Sequence, residues 1–177
     1  MFKLLRRPSP YQTALAIIGA KSGDRVLVTG GHDHGLAAAV ALVTGLNGQT
    51  VALGSEETRA AVEAAATNAG ALVEFATDIP RAAAFDIVVW QVEASQLAGA
   101  DAPATATALI TSLRTAGRLI VIAQGAGGGF FRKAEAPDDA AIIALLVRLG
   151  AKAVRELGKA DAVTYYEARR PGDGIPR

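Results

Sequence analysis

The chain is predicted to be an α/β protein built on an open, doubly wound sheet. Three observations carry this. Strand-length apolar runs alternate with helical stretches across residues 25–149, the pattern of parallel strands joined by crossover helices. The first of those runs, Arg25-Val-Leu-Val-Thr-Gly-Gly-His-Asp-His-Gly35, reads as a buried strand that opens through glycines into a helix. The chain then closes with two short runs, residues 153–157 and 162–168, joined by Gly158-Lys-Ala-Asp161 at hairpin spacing.

The elements follow in order. Residues 1–10 form a basic arm in which Pro8 and Pro10 block regular structure. Residues 11–21 have helical apolar spacing and stop at Ser22-Gly23. Strand one covers 25–29, and a helix of small and aliphatic residues covers 36–46. Strand two is 50–53. The next helix, 56–69, has Ser55 as its N-cap and places Glu56 and Glu57 at the positive helix start. Strands follow at 71–76 and 85–92, then a helix at 103–113, a strand at 118–123 and a glycine-rich loop at 125–129. A last helix, 137–149, has Pro137 near its first turn, and the hairpin leads to a polar tail at 171–177. No repeat or linker divides residues 11–170, so one domain is expected.

Composition narrows the function classes. The 177 residues are 51% apolar and 20% charged, enough for a sizeable core. A net charge of +1 argues against a dedicated nucleic-acid surface, which needs many clustered cations. The apolar stretch 14–20 is too short to span a membrane, which takes about 20 residues. Arg6-Arg7 is followed at once by prolines and no small-residue cleavage site, so the expected setting is cytoplasmic. With no cysteine and two histidines, disulfides and thiolate metal sites are excluded and no metal is expected.

The glycine turn can be set against known families. Val26-Leu-Val-Thr-Gly-Gly31 is similar to the first strand of short-chain dehydrogenases, but their later turn glycines and catalytic Tyr-x-x-x-Lys are missing. His32-Asp-His34 echoes the metallo-β-lactamase turn without its closing Asp-His. A third resemblance spans residues 8–170. Phe85-Asp-Ile-Val-Val89, Leu113-Arg-Thr-Ala-Gly-Arg-Leu-Ile-Val-Ile122, Leu149-Gly-Ala-Lys-Ala-Val-Arg155 and Val163-Thr-Tyr-Tyr-Glu167 stand in the order and spacing of strand segments four to seven of class I S-adenosylmethionine-dependent methyltransferases. The glycine turn resembles that family's Val-Leu-Asp/Glu-x-Gly-x-Gly-x-Gly.

The resemblance implies a Rossmann-like seven-stranded sheet, strands one to five parallel, with an antiparallel C-terminal hairpin. It implies S-adenosylmethionine as cofactor, held by Gly30, Gly31, His32, Asp33, His34, Ser55, Glu56 and Asp78. Here Glu56 is a stand-in for the strand-two acid, whose place falls near Gly54, and Asp78 matches the acid that contacts adenine. The strand-one acid falls at Val28, and two turn glycines fall at His32 and His34, where side chains occupy cofactor space. Loss of the ribose-binding carboxylate alone costs about 1.5–3 kcal/mol, roughly tenfold to hundredfold in affinity. No catalytic residue is assigned; Glu93, Gln124 and the loop after it flank the substrate side, and Trp90 belongs to the core. Two readings stay open: a methyltransferase acting on a small molecule, or a catalytically inactive member serving as a binding or assembly module. The expected partners are accordingly a small-molecule substrate or a protein, and the family resemblance adds a homodimer.

Overall fold

A computed structural model of the chain describes residues 9–31, 33–80, 85–97, 99–125, 138–160 and 163–171. Its elements are α1 (Gln12–Ile18), β1 (Arg25–Gly30), α2 (Gly35–Thr44), β2 (Gln49–Leu53), α3 (Glu56–Ala69), β3 (Glu74–Ala76), β4 (Phe85–Glu93), α4 (Ala94–Leu97), α5 (Ala102–Ser112), β5 (Leu113–Gln124), α6 (Asp139–Arg148), β6 (Lys152–Ala160) and β7 (Val163–Arg169). The strands form one sheet in the order β3-β2-β1-β4-β5-β7-β6. Pairing is parallel from β3 through β5. β7 runs antiparallel to both β5 and β6. This is the predicted seven-stranded doubly wound sheet with its reversed hairpin.

Period-two alternation sends successive side chains to opposite faces. Leu27, Val88, Trp90, Leu119 and Val121 pack with α5 and α6 on one face. Val26, Val28, Ile87, Val89, Ile120 and Ile122 pack with α1, α2 and α3 on the other. Both faces are covered, so the central strands carry unbroken apolar runs. Each fully buried Val, Leu or Ile contributes roughly 1.5–3 kcal/mol, which makes the centre of the sheet the stable part of the molecule.

Several boundaries differ from the sequence expectation. α1 ends at Ile18 because Gly19 turns left-handed, and its amide returns to Leu15 O at 2.9 Å. β3 is only three residues long, since it meets β2 only through Glu74, Phe75 and Ala76. β6 continues through Gly158 and Lys159 to Ala160, past two register shifts, and Ala160 pairs with Val163 of β7. The short α4 was not expected. Asp138 is the N-cap of α6: its Oδ1 accepts from Ala140 N at 3.1 Å and Ala141 N at 3.3 Å. Residues 1–8 of the arm, His32, loop residues 126–129, Pro137 and tail residues 172–177 lie outside the described residues.

Ionic contacts hold the hairpin half. Glu167 of β7 is buried and faces Arg118 of β5 at 2.6 Å and Arg155 of β6 at 2.7 Å. Arg118 Nη1 also donates to Ile18 O at 3.1 Å, satisfying a carbonyl at the end of α1. Burial pushes the Glu167 carboxyl upward, but its bonds to Arg118 and Arg155 outweigh that and hold it below the usual glutamate range. On the opposite face Tyr166 donates its hydroxyl to Asp139, which also pairs with Lys159 at 2.5 Å. These contacts tie α6 to the hairpin.

Candidate cofactor and acceptor site

In an open α/β sheet, ligands bind beyond the carboxyl ends of the strands where the strand order reverses. Here the reversal lies between β1 and β4. A crevice of about 250 Å³ opens beside it, lined by Thr29, Gly30, Gly31, Asp33, His34, Ser55, Thr58 and Gln91 over a floor of Val28, Ala37, Ala52, Leu53 and Val62. A second cavity of about 240 Å³ adjoins it on the α1 side and includes Tyr11, Thr13, Ile122, Gln124 and Tyr165. A third, about 190 Å³, lies over Trp90, Glu93, Gln96 and Gln124. Gln91 lines all three cavities, and Asp33 lines the first two.

The turn after β1 is built around Gln91. Gly30 and Gln91 are paired residues of β1 and β4. Both Gly30 and Gly31 have positive φ, 74° and 71°. A Cβ at Gly30 would collide with the Gln91 carbonyl oxygen, and one at Gly31 would stand 2.8 Å from Gln91 Cβ. The two glycines are therefore demanded by the close approach of β4, whatever ligand the crevice takes. Their presence alone carries no message about a cofactor.

Asp33 has a structural task as well. Its Oδ1 accepts the Tyr11 hydroxyl at 2.7 Å and the Gly35 amide at 3.0 Å, so it caps α2 and ties it to the residue before α1. Burial, and then the bond to Asp33, push the Tyr11 hydroxyl up to about 12. His34 occupies the helix N-cap position but makes no side-chain cap bond. His34 is among the residues that line the crevice.

The remaining expected residues separate. Ser55 lines the crevice and precedes α3, without a side-chain cap bond. Glu56 is not on its wall. The side chain turns outward and forms a two-pronged bond to Arg59, both oxygens at 2.9 Å from Nε. That pair holds the Glu56 carboxyl below its usual range, and Arg59 in turn stacks over Phe75 at 4.4 Å. Asp78 is exposed, accepts from Thr77 Oγ1 at 3.3 Å and lines none of the cavities. The end of β2 thus presents Gly54 and the hydroxyls of Ser55 and Thr58 where the resemblance places a carboxylate.

Gln91 escaped the sequence reading, yet a signal was there. Ile87, Val89 and Gln91 share one face of β4, and Gln91 breaks that apolar row at the strand's carboxyl end. Only 5% of Gln91 is exposed. Gln124, on the same face of β5, stands at the corresponding end.

No family model and no curated protein matches the sequence. Solved structures do. An S-adenosylmethionine-dependent methyltransferase from Aquifex aeolicus shares 15% identity, superimposes with a TM-score of 0.69, and is covered over 89% of its length by 91% of this chain. An S-adenosylmethionine-dependent O-methyltransferase from Thermotoga maritima, also 15% identical, has a TM-score of 0.72 over 97% of this chain and 68% of its own. The [4+2]-cyclase SpnF, 16% identical, has a TM-score of 0.64 over 90% of this chain and 79% of its own. The chain has the fold of the class I S-adenosylmethionine-dependent methyltransferases. Among the described residues, no helix is long and apolar enough to cross a membrane.

Proposed function

We propose that the chain binds S-adenosylmethionine, or its demethylated product, in the crevice after β1 and transfers the methyl group to a small uncharged acceptor. The observation that supports this most is the contact between the two cavities: Gln91 and Asp33 belong to both walls, so a ligand in each would meet there. The lining suits such a cofactor. Apolar Leu53, Ala52 and Val62 offer a surface for a heterocycle, and the hydroxyls of Ser55 and Thr58 offer ribose partners. Asp33 and Glu93 stand on the walls and no lysine or arginine does among the described residues, which favours a cationic ligand over a phosphorylated one. When bound, the cofactor supplies an activated methyl group; the protein's part is to hold donor and acceptor in line and dry. The acceptor cavity offers amides and hydroxyls, from Gln91, Gln124, Thr13, Tyr11 and Tyr165, beside apolar Ile122 and Val163. That suits a neutral molecule with a few hydrogen-bonding groups.

A second reading rests on Gly54. Without a carboxylate at the end of β2, the ribose grip is weaker, and a non-catalytic member used as a binding or assembly module fits that change. SpnF, a cyclase on the same fold, illustrates that the architecture does not dictate methyl transfer. Thermal unfolding with added S-adenosylmethionine or S-adenosylhomocysteine separates the readings. Ligand at about one hundred times its dissociation constant stabilises by about 2.7 kcal/mol, or roughly 5–10 °C for a chain of this size. No shift at millimolar ligand overturns the first reading in favour of the second.

A further inference from the structure

We infer that Gln91 is the residue that receives the ammonium group of the cofactor's amino-acid end, in place of the acid that Val28 has displaced. The inference rests on the cofactor reading above and adds the contact that orients the ligand. Gln91 is an amide on an otherwise apolar strand face, 5% exposed and yet part of the wall of all three cavities. Its Nε2 donates to Gly30 O at 3.3 Å. A carbonyl can only accept, so this bond fixes which end of the amide is which. The carbonyl end, Oε1, is left as an acceptor beside Gly31, about where a Cβ on that glycine would come within 3.1 Å of it.

No described residue donates to Oε1. No buried side-chain oxygen is left without a partner among the described residues, so Oε1 opens onto the cavity, where a ligand can donate to it. The group it selects follows from its neighbours. Asp33 lines the two larger cavities with Gln91, and its Oδ1 is already occupied by Tyr11 and Gly35. Glu93 stands in the third, and no lysine or arginine faces the junction among the described residues. A positively charged donor is favoured there over a neutral one, because hydrogen bonds to charged groups are roughly twice as strong. Val28, by contrast, is 3% exposed and apolar, so it can offer such a group nothing. The chain has moved the polar contact from the end of β1 across to the end of β4, and the two strands are adjacent.

The test pairs one change in the protein with one in the ligand. Calorimetric titrations compare S-adenosylhomocysteine with 5′-methylthioadenosine, which lacks the amino-acid end, against the wild type and Gln91→Met. Methionine keeps the length and removes both polar ends of the amide. The wild type should bind S-adenosylhomocysteine at least about tenfold more tightly than methylthioadenosine. In Gln91→Met that preference should shrink to about twofold, the loss falling mainly on S-adenosylhomocysteine. Should Gln91→Met fail to fold, Gln91→Glu serves: it keeps an acceptor and should hold or raise the preference. Equal preference in the wild type and Gln91→Met, or its loss in Gln91→Glu, overturns this inference alone. A wild type that binds neither ligand overturns the cofactor reading instead.

Discussion

The two halves of the sheet keep their shape by different chemistry. From β5 to β6 the strands are stitched by side chains: Glu167 lies between Arg118 and Arg155, and Tyr166 and Lys159 share Asp139. At β1 and β4 the backbone itself is the contact, with Gly30 and Gly31 giving way to Gln91. The first arrangement tolerates little loss of charge, and its ion-paired side chains line none of the three cavities. The second holds its polar groups at the rim of three cavities. A chain under selection for its fold alone would be free to change the crevice walls but not the hairpin. Val28, His34 and Gly54, which stand where the resemblance implies an acid, a glycine and an acid, all lie at the crevice, and the ion-paired residues do not. Gln91 runs against that freedom, since an apolar residue on that strand face would serve packing better.

The largest effect is expected at the hairpin. Glu167→Ala removes the common partner of Arg118 and Arg155 and should lower unfolding free energy by about 3–5 kcal/mol, measured by denaturant titration. Sign and pH range follow from the direction of its shift. Its folded-state pKa lies below the ordinary 4.5, so the stabilisation is complete above that value and drains away as pH falls through the lower, folded one. Glu167→Gln, which cannot ionise, should therefore flatten the acid limb of the stability curve below about pH 4.5. A variant with unchanged stability and an unchanged acid limb would leave the hairpin no more dependent on charge than the glycine turn is.

Gly30→Ala tests the other half. The new methyl would meet the Gln91 carbonyl, and the backbone would hold a Cβ at φ 74°. The conformational part costs about 1–2 kcal/mol and the overpacking about 1–3 kcal/mol, so a loss near 3 kcal/mol is expected without any ligand present. If the glycine served only to admit a cofactor, ligand-free stability would fall by the conformational part alone. Denaturation of the ligand-free variant decides between them.

Much of this comparison could be read from the chain, and the rest had to wait for neighbours. The succession of strands, crossover helices and closing hairpin was legible because apolar runs of each kind follow a fixed period. Gly30, Gly31, Asp33, His34 and Ser55 were legible because the turns from β1 into α2 and from β2 into α3 place them at one edge of the sheet. Glu56 was misdirected by counting along the chain: at i and i+3 on α3 it finds Arg59, and the helix turns both outward. The Glu167 set was hidden, since Arg118 and Arg155 reach it only through the registers of β5 and β6 with β7. Nothing local marks residues 49 and 12 positions away as its partners.

The smallest effect concerns a residue where sequence and structure meet most directly. In Leu113-Arg-Thr-Ala-Gly-Arg-Leu119 the alanine stands where the resembling motif, Leu-Arg-Pro-Gly-Gly-Arg-Leu, has its first glycine. Ala116 has φ 62°, so the turn still demands the conformation that glycine adopts freely. β5 pairs with β4 at Leu113 and again from Arg118, so this turn sets the register with which β5 joins the sheet. Ala116→Gly relieves the strain but adds freedom to the unfolded chain, and the two oppose each other. The relief is the larger, about 1–2 kcal/mol against about 0.4–1 kcal/mol. A net gain of about 0.5–1 kcal/mol is expected, roughly 2 °C in melting temperature. Calorimetry that finds the variant less stable than the wild type would mean that Ala116 contributes packing through its methyl group, and that this turn, like the Glu167 set, is held by side chains.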